Sequence, residues 1–342
     1  MSTSLIPSFR IVRPNYLELQ THVAGDSDVN SSTACSLHDI RSNFAHDLTS
    51  HVMQVGERPF ASGSFGDIYR GTLRMRGRTI NVAVKAIRTY CVDDSGDTKK
   101  KRCRRELKTW LNLDHINVLP LFGTTMNFGE FPAMVCPWLE NGSLTSHLER
   151  RDDSLTTVER LSLVSDVAAG LQYLHLQSVV HGDLSGGNVL IHDDGTACIS
   201  DFGLSTLLTQ VGGSTFATTH QAPGTLRWTA PELLDLREPE DEEDPPHIIP
   251  TPRSDMFSFG RIMLQILTGK VPYYYYTREA QVVHAISQGR TPKRPSQDLV
   301  TDRQWSFIQR CWSPVDADEY ARPDDEEIVE FVGQELVDHE EV

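Results

Sequence analysis

The sequence predicts an α+β fold in which a small sheet-rich part precedes a larger, mainly helical one. Two observations carry this reading. Short β-type runs joined by glycines and turn residues fill the stretch from about residue 52 to residue 137. After Gly142 the pattern turns helical, and residues 156–176 place apolar side chains at helical spacing with no proline. Strands followed by helices, in that order, are the signature of the α+β class.

Taken along the chain, residues 1–51 read as a mostly flexible polar arm. Residues 25–33 are rich in Ser, Asp and Asn, and one short helix is expected near 36–49. The β-type runs lie at 67–72, 80–87 and 118–122 and read as antiparallel strands. A basic, helix-like segment at 99–113 interrupts them. The folded unit is expected over 52–334, its small lobe about 52–137 and its large lobe about 140–334. The acidic, proline-flanked stretch 237–246 reads as a solvated loop. The acidic tail, 335–342, is expected to fray.

Composition narrows the function. Hydrophobic residues make up 39% of the 342 residues and charged residues 23%, as in globular domains. The net charge of −15, from 32 basic and 47 acidic side chains, speaks against nucleic acid or an anionic membrane as partner, since both need a basic face. The six cysteines, at 35, 91, 103, 136, 198 and 311, form no C-x-x-C pair, so neither a zinc knuckle nor a redox motif is suggested. No run approaches the ~18 apolar residues of a membrane helix. A soluble, cytoplasmic protein with reduced thiols is expected. Nothing in the sequence speaks to oligomeric state.

Chemistry begins at Ala61-Ser-Gly-Ser-Phe-Gly66. Gly63 and Gly66, flanked by strand residues, allow a backbone to close over phosphates, although glycines in a hairpin turn would look the same. Val82-Ala-Val-Lys85 then ends an apolar strand on a lysine, which needs a counter-charge or a solvent exit. Glu106, on the following helix-like segment, is positioned to pair with it or to stay a surface charge. The most informative stretch is 179–191, VVHGDLSGGNVLI, where Asp183 and Asn188 occupy a glycine-rich loop between apolar pieces. Asp201-Phe-Gly203 follows another apolar run, and then Gly224-Thr-Leu-Arg-Trp-Thr-Ala-Pro-Glu232. A carboxylate, an amide and a second carboxylate on successive loops suit Mg²⁺, which takes hard oxygen ligands and completes its shell with phosphates and water.

This ordered set resembles the eukaryotic protein kinase family, over roughly residues 52–334. The resemblance implies a bilobal fold and transfer of the ATP γ-phosphate to a protein substrate. It implies that Ala61, Gly63, Phe65 and Gly66 cover the phosphates, that Ile68 and Ala83 roof the adenine and that Leu190 floors it. Cys136 is then the gatekeeper at the back of the adenine site, with Pro137 and Leu139 in the hinge. Lys85 would hold the phosphates and pair with Glu106. Asp183 would accept or orient the substrate hydroxyl proton, while Asn188 and Asp201 hold Mg²⁺ or Mn²⁺. Glu232 would pair with Arg322, Asp255 would hold the catalytic loop, and Trp110 would pack near Leu121, Phe202 and His181. Residues 227–232, Cys311-Trp-Ser313 and Arg322-Pro323 look most like the tyrosine-kinase-like group, whose members mostly phosphorylate Ser or Thr.

Four departures from the family pattern stand out. Ala61 replaces the first glycine of the phosphate loop, and Gly182 replaces the arginine before the catalytic aspartate. The acidic stretch 237–246 lengthens a surface connection. Most consequential, Ser185 and Gly187 stand where Ser/Thr kinases carry a lysine and tyrosine kinases an arginine. Loss of one such preorganised charge costs about 10²–10³ in rate. Arg227 is the candidate substitute. The expected function is therefore an Mg-dependent Ser/Thr protein kinase of reduced activity, and the alternative is an ATP-binding pseudokinase acting as a switch or scaffold.

Overall fold

The computed structural model describes residues 21–22, 47–63, 66–75, 78–87, 107, 110–129, 132–202, 225–234, 249–315 and 321–340. The expected helix-like segment up to residue 106 and the acidic stretch 237–246 lie outside these residues, as do Phe65, Glu106 and Gly224.

The small lobe is one antiparallel sheet. Its strands are β1 (Thr21–His22), β2 (Val52–Gln54), β3 (Ala61–Gly63), β4 (Gly66–Met75), β5 (Arg78–Ile87), β6 (Gly123–Thr125) and β7 (Ala133–Pro137). The path runs β2-β4-β5-β7-β6, with β3 paired to β4 and β1 to β5. The β4–β5 hairpin is its spine, in register from Gly66 opposite Ile87 to Met75 opposite Arg78. Inward-facing Leu73, Val82, Val84 and Val135 are wholly buried and form its core with Leu48 and Phe122. Gly71 lies opposite Gln54 of β2, where a Cβ would come within 3.1 Å of the Met53 carbonyl oxygen and press the two strands apart.

Two expectations fail here. Residues 118–122 are not a strand: Val118 makes a single bridge to Ile199, and regular pairing starts only at Gly123. Pro120, which lacks an N–H, sits in the middle of that apolar run. The small lobe also begins before residue 52. Leu48 is fully buried and donates its N–H to the Thr124 carbonyl at 2.7 Å. The Thr49 hydroxyl accepts the Met126 N–H at 3.1 Å. Residues 47–50 form a bridge and a turn rather than the end of a helix, and one apolar side chain in a polar stretch is what anchors them.

The large lobe is helical: α1 (Leu144–Arg151), α2 (Thr157–Leu176), α3 (Pro252–Thr268), α4 (Glu279–Ser287), α5 (Asp302–Cys311) and α6 (Asp325–Glu340), with a small hairpin of β8 (Val189–Ile191) and β9 (Ala197–Ile199). Local chemistry fixes the helix starts. Thr156 and Glu159 form a reciprocal capping box on α2, and Thr251 and Ser254 do so on α3, where Pro252 takes the first turn. Gly269, at φ 67°, closes α3 in the left-handed conformation. Every residue from Ser254 to Leu267 is buried, so α3 is the lobe's axis rather than an amphipathic surface helix. It packs on α2 and α5, and α6 packs along α2.

The expected fraying from residue 335 is not found up to residue 340. Helix α6 continues to Glu340. Glu335 is buried, accepts the Gln304 amide at 2.7 Å and pairs with Arg303 at 3.0 Å. An acidic composition hid a side chain with two partners.

Candidate active site

The cleft between the lobes is built from the ends of β3–β5, from β7, and from the loops around β8 and β9. Strand pairing places the nucleotide-side residues. Ala61 lies opposite Ile68, and Ile68 opposite Lys85. Ala83 lies opposite Cys136, with Val82 opposite Pro137. Leu190 pairs with Cys198 and bridges to Ser143. Residues 61–63 are all exposed, as a flap over a cleft requires. Gly63 has no atom within 4 Å of where a Cβ would lie, so that side is open. Cys136 is buried, and burial foremost, with the Asp201 charge, raises its thiol pKa far above the ordinary value. It is a small apolar wall and not a nucleophile.

Two aromatic residues that the motif reading passed over sit at the mouth of this cleft. Phe60, directly before the flap, is 70% exposed and meets Trp138 of the hinge edge-on, with ring centroids 4.8 Å apart. The Arg70 guanidinium lies 4.9 Å over the Trp138 ring and pairs with Glu140 at 2.7 Å. The available signal was only an aromatic residue directly before the glycine loop.

On the catalytic side, Lys85 Nζ and Asp201 Oδ1 are 2.7 Å apart. Asp201 is one of few described non-glycine residues with positive φ, 61°; such strain persists where the surroundings demand it. Phe202 behind it is buried against Trp110, with ring centroids 4.7 Å apart, as expected. Trp110 is anchored in turn by its indole N–H, which donates to the Leu119 carbonyl at 3.0 Å.

Asn188 is held by both neighbours. Its Nδ2 donates to the Asp183 carbonyl at 2.7 Å and to Asp183 Oδ2 at 3.1 Å. Its own carbonyl accepts the Ser200 N–H and hydroxyl at 2.8 and 3.0 Å. That leaves Asn188 Oδ1 and the Asp201 carboxylate as hard oxygens on adjacent loops, a donor set that fits Mg²⁺ with phosphate and water completing the shell. Burial is the main influence on Asp183 and pushes its pKa up to about 7, against the lowering effect of Thr225 and Asn188. A bound cation would lower it again.

The loop that presents Asp183 is fixed from below. Asp255, only 1% exposed at the start of α3, accepts the His181 N–H at 2.7 Å and the Gly182 N–H at 2.9 Å. His181 is buried and neutral: its Nε2 faces the Ser200 carbonyl at 3.0 Å and its Nδ1 accepts the Asp183 N–H at 3.2 Å. Gly182 has φ 76°, a left-handed backbone that glycine adopts without the Cβ penalty.

The other side of Asp183 carries no cation among the described residues. Ser185 is buried, and its hydroxyl has no hydrogen-bond partner. A Cβ at Gly186 would collide with the Gln265 and Thr145 side chains, whereas one at exposed Gly187 would meet only Ser185 Oγ at 3.6 Å. Arg227, the candidate substitute, is committed elsewhere. Its guanidinium donates to the carbonyls of Pro272, Tyr273 and Tyr276, each at 2.9 Å. Three carbonyl acceptors draw it toward the loop before α4. Glu232 and Arg322 pair as expected, through two hydrogen bonds of 2.5 and 2.9 Å.

Comparison with known proteins agrees with this geometry. The family profile for protein tyrosine and serine/threonine kinases matches residues 55–332. Similar proteins include ephrin type-A receptor 5 of Gallus gallus, 29% identical over 84% of this chain and 26% of the receptor. The serine/threonine-protein kinase STY46 of Arabidopsis thaliana is 27% identical over 79% of this chain and 42% of its own length. The RAF proto-oncogene serine/threonine-protein kinase of Xenopus laevis is 29% identical over 72% of this chain and 36% of its own length. The chain thus spans less than half the length of each of these relatives. Its match to the family covers both lobes and every loop of the cleft: the chain belongs to the protein tyrosine and serine/threonine kinase family.

Proposed function

We propose that this chain transfers the γ-phosphate of Mg-bound ATP to serine or threonine hydroxyls of a protein substrate, at a reduced rate. The observation that carries the reading is two contact pairs on adjoining loops, Lys85 with Asp201 at 2.7 Å and Asn188 with Asp183 at 2.7 and 3.1 Å, the loops being tied where Ser200, next to Asp201, donates its N–H to the Asn188 carbonyl at 2.8 Å. Phosphoryl transfer is mostly positioning and charge stabilisation, and these four groups cover most of it.

In this reading Ala61, Gly63, Phe65 and Gly66 close over the phosphates. Phe60, Ile68 and Ala83 lie above the adenine and Leu190 below it, with Pro137 and Leu139 offering hinge carbonyl and N–H. Lys85, oriented by Glu106, neutralises phosphate charge. Mg²⁺, held by Asn188 and Asp201, supplies further charge neutralisation when bound. Asp183, fixed by Asn188, orients the incoming hydroxyl and takes its proton. The likeness to RAF and STY46 supports the tyrosine-kinase-like group and Ser/Thr specificity; Gly187, where tyrosine kinases carry arginine, points the same way. No helix among the described residues is long and apolar enough to cross a membrane. A cytoplasmic setting would keep buried Cys136, Cys198 and Cys311 as the free thiols they are.

A second reading has its own observation. With Ser185 and Gly187 uncharged and Arg227 committed to carbonyls, no described cation is available beside Asp183 on the γ-phosphate side. A pseudokinase that binds ATP and signals by conformation fits that feature. Transfer from γ-labelled ATP, with Mg²⁺ and with Mn²⁺, beside Asp183→Asn, separates the two. The kinase reading expects label on Ser or Thr, falling about 10³-fold in Asp183→Asn. Absence of label, while ATP still raises the melting temperature, would replace it with the pseudokinase.

A further inference from the structure

His175, in the last turn of α2, is used by none of the chemistry above, yet its ring is more tightly held than most of the site. Its side chain is 4% exposed, and both ring nitrogens face carboxylates. Nδ1 lies 2.8 Å from Asp325 Oδ1, at the first residue of α6, and Nε2 lies 3.0 Å from Asp255 Oδ2, in the first turn of α3. A neutral imidazole has one N–H and would turn a lone pair toward one of the two carboxylates. The doubly protonated ring satisfies both.

Asp255 is the residue whose two oxygens hold the His181 and Gly182 amides. A continuous path therefore runs from α6 through Asp325, His175 and Asp255 to the loop that presents Asp183. Asp325 is seated on α2 a second time, by Gln172, whose side-chain amide approaches the Asp325 carbonyl at 3.4 Å.

We propose that His175, clamped by Asp325, is a positioning residue for the catalytic loop, so that the seating of the C-terminal helix α6 controls how firmly Asp183 is presented. The proposal rests on the kinase reading for its effect on rate, but not for its effect on the loop. Without the second proton, an imidazole lone pair faces Asp255 or Asp325. If it faces Asp255, that carboxylate is pushed off the two amides it must hold. Burial alone would lower the pKa of His175, but the hydrogen bonds and charges of Asp255 and Asp325 outweigh it and raise it to about 9. Among the described residues, these two carboxylates are the charged groups that face the ring. The sign follows: the clamp is intact below about pH 9 and is lost as pH rises through that value.

The test is Asp325→Asn beside the conservative Asp325→Glu, in the full chain. Two readouts are taken: amide exchange at His181 and Gly182, and the pH dependence of kcat. In Asp325→Asn the two amides should exchange about tenfold faster. The alkaline limb of kcat should move down by about one pH unit, since one of two carboxylates is gone, with KM for ATP unchanged. Asp325→Glu should restore both. Unchanged exchange at His181 and Gly182 in a folded Asp325→Asn protein would overturn the proposal. So would a fall in kcat that merely follows a fall in Tm, with the alkaline limb unmoved. If the wild type transfers no phosphate, the kinase reading fails, and amide exchange still decides the clamp.

Discussion

The two sides of Asp183 are built to different standards. Toward the nucleotide, the described charged groups and the Asn188 amide N–H are held by protein partners. Asn188 Nδ2 reaches Asp183, its backbone holds Ser200, and Asp201 meets Lys85 at 2.7 Å. Toward the incoming substrate, Ser185 has a buried hydroxyl with no partner, Gly187 has no side chain, and Arg227 is drawn away by three carbonyls. The difference teaches that nucleotide binding and charge supply at the γ-phosphate are separable parts of one site.

The comparison can be broken by attacking each side in turn. Asp201→Asn removes the charge from the better-built side. It should cut transfer by about 10³-fold and weaken the Mg-dependence of ATP binding measured by calorimetry; a loss under tenfold would mean that this side matters less than its geometry suggests. Arg227→Leu probes whether the sparse side is really without a cation. As a brace for the 272–276 loop, Arg227 should affect only the protein substrate, raising its KM about tenfold, or about 1.4 kcal/mol. Were kcat to fall 10²-fold instead, Arg227 would be the missing charge after all. The smallest effect is expected at Gly182. Gly182→Arg puts a side chain on a φ of 76° and should lower folding stability by about 1–2 kcal/mol in denaturant titration, with no gain in activity.

Much of this site was legible from the chain because its motifs encode unusual local backbone. Glycines at 63, 66 and 182 mark a flap and a left-handed turn, and carboxylates after short apolar runs mark loops that face a cation. What escaped was built from pairs far apart in sequence. Phe60 finds Trp138 only once β3 folds over the hinge. His175 finds Asp255 and Asp325, 80 and 150 residues away, through helix packing. Glu335 looked like one more acid in an acidic tail until Gln304 and Arg303 were seen beside it. The misread strand at 118–122 is a different failure: the apolar run was weighed and Pro120 within it was not.

The central claim is that the nucleotide side is complete and that only charge on the substrate side is short. Gly187 offers the direct test, since it is exposed and a side chain there meets only ordinary contact with Ser185. The measurement is single-turnover transfer from γ-labelled ATP by the wild type and by Gly187→Arg, with Kd for Mg-bound ATP determined on the same samples. The account predicts a rate increase of about 10² with Kd changed less than twofold. An unchanged rate at unchanged Kd would contradict it, because the deficit would then lie somewhere other than the missing cation.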